Sequence, residues 1–350
     1  MSLLWRWSKR LALLLIVLVI SLGAPVVYVE TLCRGTGTAR PYDALISPAH
    51  HRPESRTLLT YPEWHIVHAY ESYAKVISHG DPHDFAFLGD IGGFWTSLCA
   101  LSRIAPEHGG IDGGTKQMVY VIGVSFTAEL ILKAAYEETL GRFFATLRGP
   151  QRAPLDDLSA EQAAAYAAFL QQVPWYKWPF RDDAEALRKL AGGTVRDTER
   201  RLALGLEYRA KASYADIIAK AVAQTGADAL TLRMLVTGAD PLQLSGYEGV
   251  RVLQVRPEGV EIETPRYRAL TQLLQQMAAD QVTLVEVTGN DDILFTALSN
   301  RPAEPDALFS FARQGFGDYR HLFLVRVPDL AQRLRDLDSS GLTLEHIHDY

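Results

Sequence analysis

Val282-Thr-Leu-Val-Glu-Val-Thr-Gly-Asn-Asp-Asp-Ile-Leu-Phe-Thr-Ala297 sets two β-rich runs on either side of Gly289-Asn290-Asp291. Branched and aromatic side chains suit a pleated, half-buried surface, and Gly-Asn-Asp supplies the turn chemistry of a hairpin. The signal extends in both directions. Leu230 to Val236 and Val250 to Val255 precede it, Leu322 to Val327 follows it, and His346 and His348 fall in a last expected strand. Between these runs, Arg266 to Ala279 and Asp329 to Leu337 have the apolar spacing of helices.

Upstream of Gly226 the apolar period is that of a helix rather than a strand. Ile66, Tyr70, Tyr73 and Ile77 form a stripe after Pro62, a residue favoured in a first helical turn. Further helices are expected over Phe85 to Ile104 and Thr115 to Phe144, from Ser159 with Gln162 completing a capping box, and between Asp182 and Gln224. Gly109-Gly110, Gly113-Gly114 and Gly149-Pro150 separate them. The order predicts an α+β protein. Residues 61–226 form a mainly helical, bundle-like half, and residues 227–350 an α+β sandwich with a largely antiparallel sheet of split βαβ (ferredoxin-like) type. No internal repeat is apparent.

The first thirty residues set the expected location. Leu11 to Tyr28 carries no charge and as a helix would span about 27 Å, enough for a bilayer core. Arg6, Lys9 and Arg10 precede it, so the N-terminus stays cytoplasmic and the bulk lies on the extracytoplasmic side of a bacterial inner membrane. Trp5 and Trp7 suit the interface. A cleaved signal peptide shares the charged start and the small residues Ser21 to Ala24, but Pro25 and the continuing run Val26-Val27-Tyr28 favour an uncleaved anchor. Residues 1–30 are thus a basic tip and a single transmembrane helix. Residues 31–60, punctuated by Gly35, Gly37, Pro41, Pro48 and Pro53, are a stalk. In an oxidising compartment Cys33 and Cys99 are a candidate disulfide. Leu32 before Cys33 argues against lipidation.

A net charge of −6 over 350 residues excludes the broad basic face that nucleic acid requires. The densest set of potential ligands is Glu63-Trp-His65-Ile-Val-His68-Ala-Tyr-Glu71. Spaced by three, His65, His68 and Glu71 fan across one helix side and could offer imidazole and carboxylate to a divalent metal. They lie opposite the Ile66 stripe, where solvent is the default, yet Trp64 shares that side and implies a second packed surface. Glu129 sits in an apolar helix and is either a proton donor raised by burial or the ion-pair partner of Lys133. That helix is long and apolar, but Glu129 and Lys133 would each cost roughly 2.5–3.5 kcal/mol at a bilayer centre, so it is read as a buried soluble helix.

Pro174 to Phe180 offers Trp175, Tyr176, Trp178 and Phe180 to a membrane, a partner or the core. His346 and His348 alternate in a strand and could face one metal together, with Glu345 and Asp349 on the other face. Arg196, Arg200, Arg201 and Arg209 are interleaved with acids and read as a solvated face. No phosphate loop, GxSxG elbow or CxxC pair is present. The expectation is a membrane-anchored envelope protein that binds a protein partner or ligand. The alternative is an exported metal-dependent or acid/base enzyme built on His65, His68 and Glu71, with Glu129 from the neighbouring helix.

Overall fold

The computed structural model describes residues 2–109, 113–225 and 230–349. Gly110 and Gly226, expected as a turn and as the boundary between halves, lie outside them. The first helix, α1 (Ser2–Leu32), is continuous, with Pro25 inside it. Trp5, Trp7, Leu13, Ile16, Val17, Val19 and Ile20 are exposed along it. Among its described side chains, those that pack lie toward its end, where Val26, Val29 and the following Cys33 join a core shared with the helices that follow. Cys33 is bonded to Cys99, with Cα atoms 5.0 Å apart.

Beyond Cys33 the expected stalk is a strap laid on the protein. Arg40 pairs with Glu107. The strap then crosses to the C-terminal half, where the buried Glu286 carboxylate accepts hydrogen bonds from Tyr42 Oη (2.6 Å), Leu45 N (2.6 Å) and Ile46 N (2.8 Å). Extended chain has no donors paired within itself, and one carboxylate here satisfies two of them.

The helical half comprises α2 (Glu54–Ile77), α3 (Phe87–Ile104), α4 (Gly113–Tyr136), α5 (Arg142–Arg148), α6 (Pro154–Leu170), α7 (Phe180–Lys189) and α8 (Val195–Thr225). α2 starts well before Pro62, which sits inside it. Burial of Leu58, Leu59 and Tyr61 holds these extra turns against the preference of proline for a helix start. α6 likewise begins before the expected cap. Ser159 and Gln162 are internal, bonded to Asp156 O and Asp183 O, and Pro154 takes the first-turn position instead.

α4 continues into α5 through a π-helical turn, Glu137–Gly141. Gly141 makes room there, since a Cβ would lie 2.1 Å from Glu137 Oε2. Arg196 and Arg200 are not on a solvated face: each is 1% exposed. They belong to a buried network with Asp156, Glu199 and Glu137. Alternating charge reads the same on a wet helix and on one whose charges meet partners from three sides. Nor is α4 simply buried, because Met118, Val121 and Leu132 are exposed along it.

The C-terminal half contains β1 (Thr231–Thr237), α9 (Pro241–Ser245), β2 (Arg251–Arg256), β3 (Gly259–Pro265), α10 (Tyr267–Ala279), β4 (Thr283–Val287), β5 (Asp292–Ser299), β6 (Phe309–Ala312), β7 (Tyr319–Arg326), α11 (Val327–Asp336) and β8 (Thr343–His348). These strands make two antiparallel four-stranded sheets rather than one, in the orders β2-β3-β1-β4 and β6-β7-β5-β8. Gly289-Asn290-Asp291 therefore closes no hairpin. Thr288 N donates back to Arg233 O of β1 at 2.8 Å, which keeps β4 in the first sheet while the turn delivers β5 to the second. α10 and α11 pack on each other and on both sheets, in one core with Ile262, Phe295 and Ile347. The outer face of the second sheet is covered by the helical half, with Leu58, Tyr61, Leu101 and Ala105 against Leu294 and Leu322.

Candidate functional site

The seam between α2 and the second sheet turns polar along β7 and β8. In β8, His348 pairs with Leu294 and His346 with Thr296, whereas the next pair is Ala297 with Leu344. Glu345 is thus the extra residue of a β-bulge. Strict alternation would send Glu345 to the face opposite His346. The bulge brings it round to His68, correcting the expectation that it lies on the other face.

His68 lies between two carboxylates, with Nδ1 3.8 Å from Glu71 Oε2 and Nε2 3.9 Å from Glu345 Oε2. Both gaps exceed a hydrogen bond. Arg320 from β7 clamps Glu345 (2.5 Å from Nε and from Nη2) and reaches Glu71 Oε2 at 3.2 Å. Arg313 adds a contact to Glu71 at 3.4 Å. Trp64 stacks on His346, ring centroids 3.7 Å apart, and lies 5.4 Å from His348 and 6.0 Å from His68. The two histidine groups read separately in the sequence therefore share one tryptophan.

These imidazoles are nearly dry: His68 is 4%, His346 5% and His348 1% exposed. Both nitrogens of His68 and His348, and Nε2 of His346, have no hydrogen-bond partner among the described residues. His346 Nδ1 meets Thr271 Oγ1 at 3.2 Å. His68, Glu71 and Glu345 offer ligand atoms within 4.8 Å of one another, so they are the residues that could hold a metal.

His65 does not join them. Gly93 leaves room for its ring against α3, where Nε2 lies 2.9 Å from Asp90 O. Asp90 Oδ1 is 3.6 Å from the same nitrogen, and Gln314 Nε2 donates to Asp90 Oδ2. Asp90 was missed in the sequence, although a lone carboxylate inside Leu88-Gly-Asp-Ile-Gly-Gly-Phe94 was a signal. Glu129 is also elsewhere, on the opposite side of α2. It accepts from Tyr70 Oη at 2.6 Å and pairs with Lys211 at 2.7 Å, while Lys133 pairs with Glu207 at 3.2 Å. The helix-periodic partner of Glu129 is thus replaced by one from α8. Trp175, Tyr176 and Trp178, each half-buried, pack with the buried Phe180 against Tyr70, Tyr166 and Ala212 of the helical core.

Burial sets the protonation of the seam. It lowers His65 and His346 to about 3, takes His348 well below its ordinary value, and lowers His68, where Arg320 adds to the effect. Burial raises Asp90 to about 7 against the opposing charge of Arg320. For Glu345, burial is outweighed by Arg320 and the carboxyl falls to about 2. Glu71 is lowered as well, burial being overcome by His68 and Arg320.

Acid sensitivity follows. A histidine whose folded pKa is depressed binds more protons when unfolded, so stability falls as pH drops below the unfolded value of about 6.5 and keeps falling toward about 3. Asp90 has the opposite sign, since the folded state holds its proton up to about pH 7. One carboxyl against four imidazoles leaves the histidine sign in control. Urea midpoints should therefore decrease steadily from about pH 7 to about pH 5; a midpoint that is level or rises on acidification would contradict this assignment.

No protein-family model, curated protein or solved structure matches this chain.

Proposed function

We propose that this protein is a single-pass, membrane-anchored binding module of the bacterial envelope, with its folded part extracytoplasmic and its binding site at the His68 crevice. The observation that carries the binding assignment is the set of buried imidazole nitrogens on His68, His346 and His348 with no hydrogen-bond partner among the described residues. Buried polar atoms are normally satisfied, and unused imidazole nitrogens at a polar seam are capacity for a ligand. The anchor is supported by the exposed apolar surface of α1 behind Arg6, Lys9 and Arg10, and export by the Cys33–Cys99 bond. We also read each sheet with its helix as a split βαβ unit. The order β2-β3-β1-β4, with α10 between β3 and β4, fits that reading, and β6-β7-β5-β8 repeats it with residues 300–308 in place of a first helix.

Neutral imidazole favours Zn²⁺, Ni²⁺ or Cu²⁺ over Mg²⁺ or Ca²⁺. One ion can take only one nitrogen of His68, so the 3.8 and 3.9 Å gaps, which lie on its two nitrogens, are not both edges of one site. With one ligand atom from each residue the set lies within 4.8 Å and would have to close toward the ~3.4 Å between two ligands of a tetrahedral ion. Charge is the obstacle. Glu71 and Glu345 are already balanced by Arg313 and Arg320, so a divalent ion must loosen Arg320 or bring an anion. Titrating Co²⁺ or Zn²⁺ into the full chain in detergent should give one equivalent bound, lost in His68→Ala. No stoichiometric metal in the wild type, and an unfolding temperature unmoved by chelator, would overturn a metal ligand.

Catalytic use of the same seam is the second reading. The observation favouring it is Asp90, whose carboxyl burial raises to about 7, the range suited to general acid/base work.

A further inference from the structure

Two charges, Glu129 and Lys133, argued from sequence that α4 is a buried soluble helix rather than a second membrane span. In the fold both are turned inward: Glu129 pairs with Lys211, and Lys133 with Glu207. What α4 shows outward from Gly113 to Ala135 is Gly113, Gly114, Gln117, Met118, Val121, Ser125, Leu132 and Ala135. No charged side chain is among them. Val121 is 55% and Leu132 68% exposed, and this face runs for about 33 Å at 1.5 Å per residue. On a surface wetted on all sides such a stripe loses the benefit of burial along its length.

The position of α4 says what covers it. The Glu30 carboxylate at the end of α1 pairs with Lys116 Nζ at 3.0 Å and accepts from Tyr120 Oη at 2.6 Å. Val26 and Val29 share a core with Val119 and Val124. The start of α4 is thus docked where α1 would leave the bilayer, with a carboxylate, an ammonium and a phenol marking the water boundary. Beside them a mostly apolar groove of about 500 Å³, lined by Gln117, Tyr120, Val121 and Val124, opens outward.

The geometry points to α4 as a second membrane contact: its uncharged outward face lies in the interfacial layer of the bilayer next to the exit of α1, with lipid acyl chains as the occupant. This rests on the anchor reading of α1 and adds to it an orientation for the whole domain, held against the membrane by α4.

The test uses the full chain in liposomes. Because the native cysteines are bonded to each other, single cysteines at Ile16, Val121, Leu132 and Leu242 can be labelled with a fluorophore, and a nitroxide high in the lipid acyl chain serves as quencher. Labels at Ile16, Val121 and Leu132 should lose most of their emission, while Leu242, an exposed leucine of the first sheet's half, should lose little. Quenching at Ile16 with Val121 and Leu132 no different from Leu242 would overturn the proposal and leave the anchor standing. No quenching at Ile16 would overturn the anchor and the proposal with it. Protection of Val121 and Leu132 from both lipid nitroxide and aqueous iodide would mean that a second copy covers α4, which also overturns it.

Discussion

Replacing Arg200 with alanine should lower the unfolding free energy by about 3–5 kcal/mol, read from denaturant unfolding of the full chain. Arg200 is the cation at the π-helical turn, with Nη1 2.9 Å from Glu137 Oε1 and Nη2 3.1 Å from Glu137 Oε2. Its other hydrogen bonds are to Glu199. In the variant Glu199 keeps Arg196 (3.0 Å), but Glu137 is left buried without a cation. The loss is therefore mostly the cost of an uncompensated carboxylate rather than the worth of the pair. Two further variants separate these. Arg200→Lys should recover only part, because an ammonium cannot reproduce the forked contact. Arg200→Met with Glu137→Leu should recover most of it, because both charges then leave together. A loss below about 1 kcal/mol for Arg200→Ala would mean that water reaches Glu137, contradicting its burial.

Arg320→Ala should cost a similar amount, about 3–5 kcal/mol, with a pH dependence set by Glu345. Arg320 is what holds Glu345 at about 2 against burial. Without it, burial drives that carboxyl above its unfolded value, so the folded variant takes up a proton that the unfolded chain releases. The sign is then fixed: the penalty is largest near pH 8 and shrinks as pH falls through the raised pKa toward about 4.5. Stability of variant and wild type compared at several pH values reads this directly. A penalty constant with pH would show that Glu345 is not the group Arg320 neutralises.

Sequence patterning located most helices and strands because burial on one face leaves a period. It failed where structure depends on partners distant in the chain. The Gly289 turn looks like a hairpin locally, and only the pairing of β4 with β1 shows otherwise. β3 alternates Val260, Ile262 and Thr264 inward, yet Glu261 and Glu263 between them hid it. In the site, Trp64 correctly implied a second packed surface for α2. What it did not reveal was that His346 and His348 form part of that surface, or that a bulge of one residue supplies Glu345. A bulge has no signature in a single sequence. Likewise the inward turn of Glu129 and Lys133 cannot be read from their spacing, since i and i+4 positions are neighbours on either side of a helix.

The strap also constrains the order in which the molecule can be completed. Residues 42–46 leave the ribosome early, but the carboxylate that receives them belongs to Glu286, 240 positions after Ile46. During synthesis the strap must remain undocked until Glu286 has emerged, and the first sheet gains its cover only then. A chain begun at residue 61 would fold this sheet with Glu286 bare. Replacing the exposed N-terminal part of α1 is thus a smaller change than trimming the segment that follows the helix.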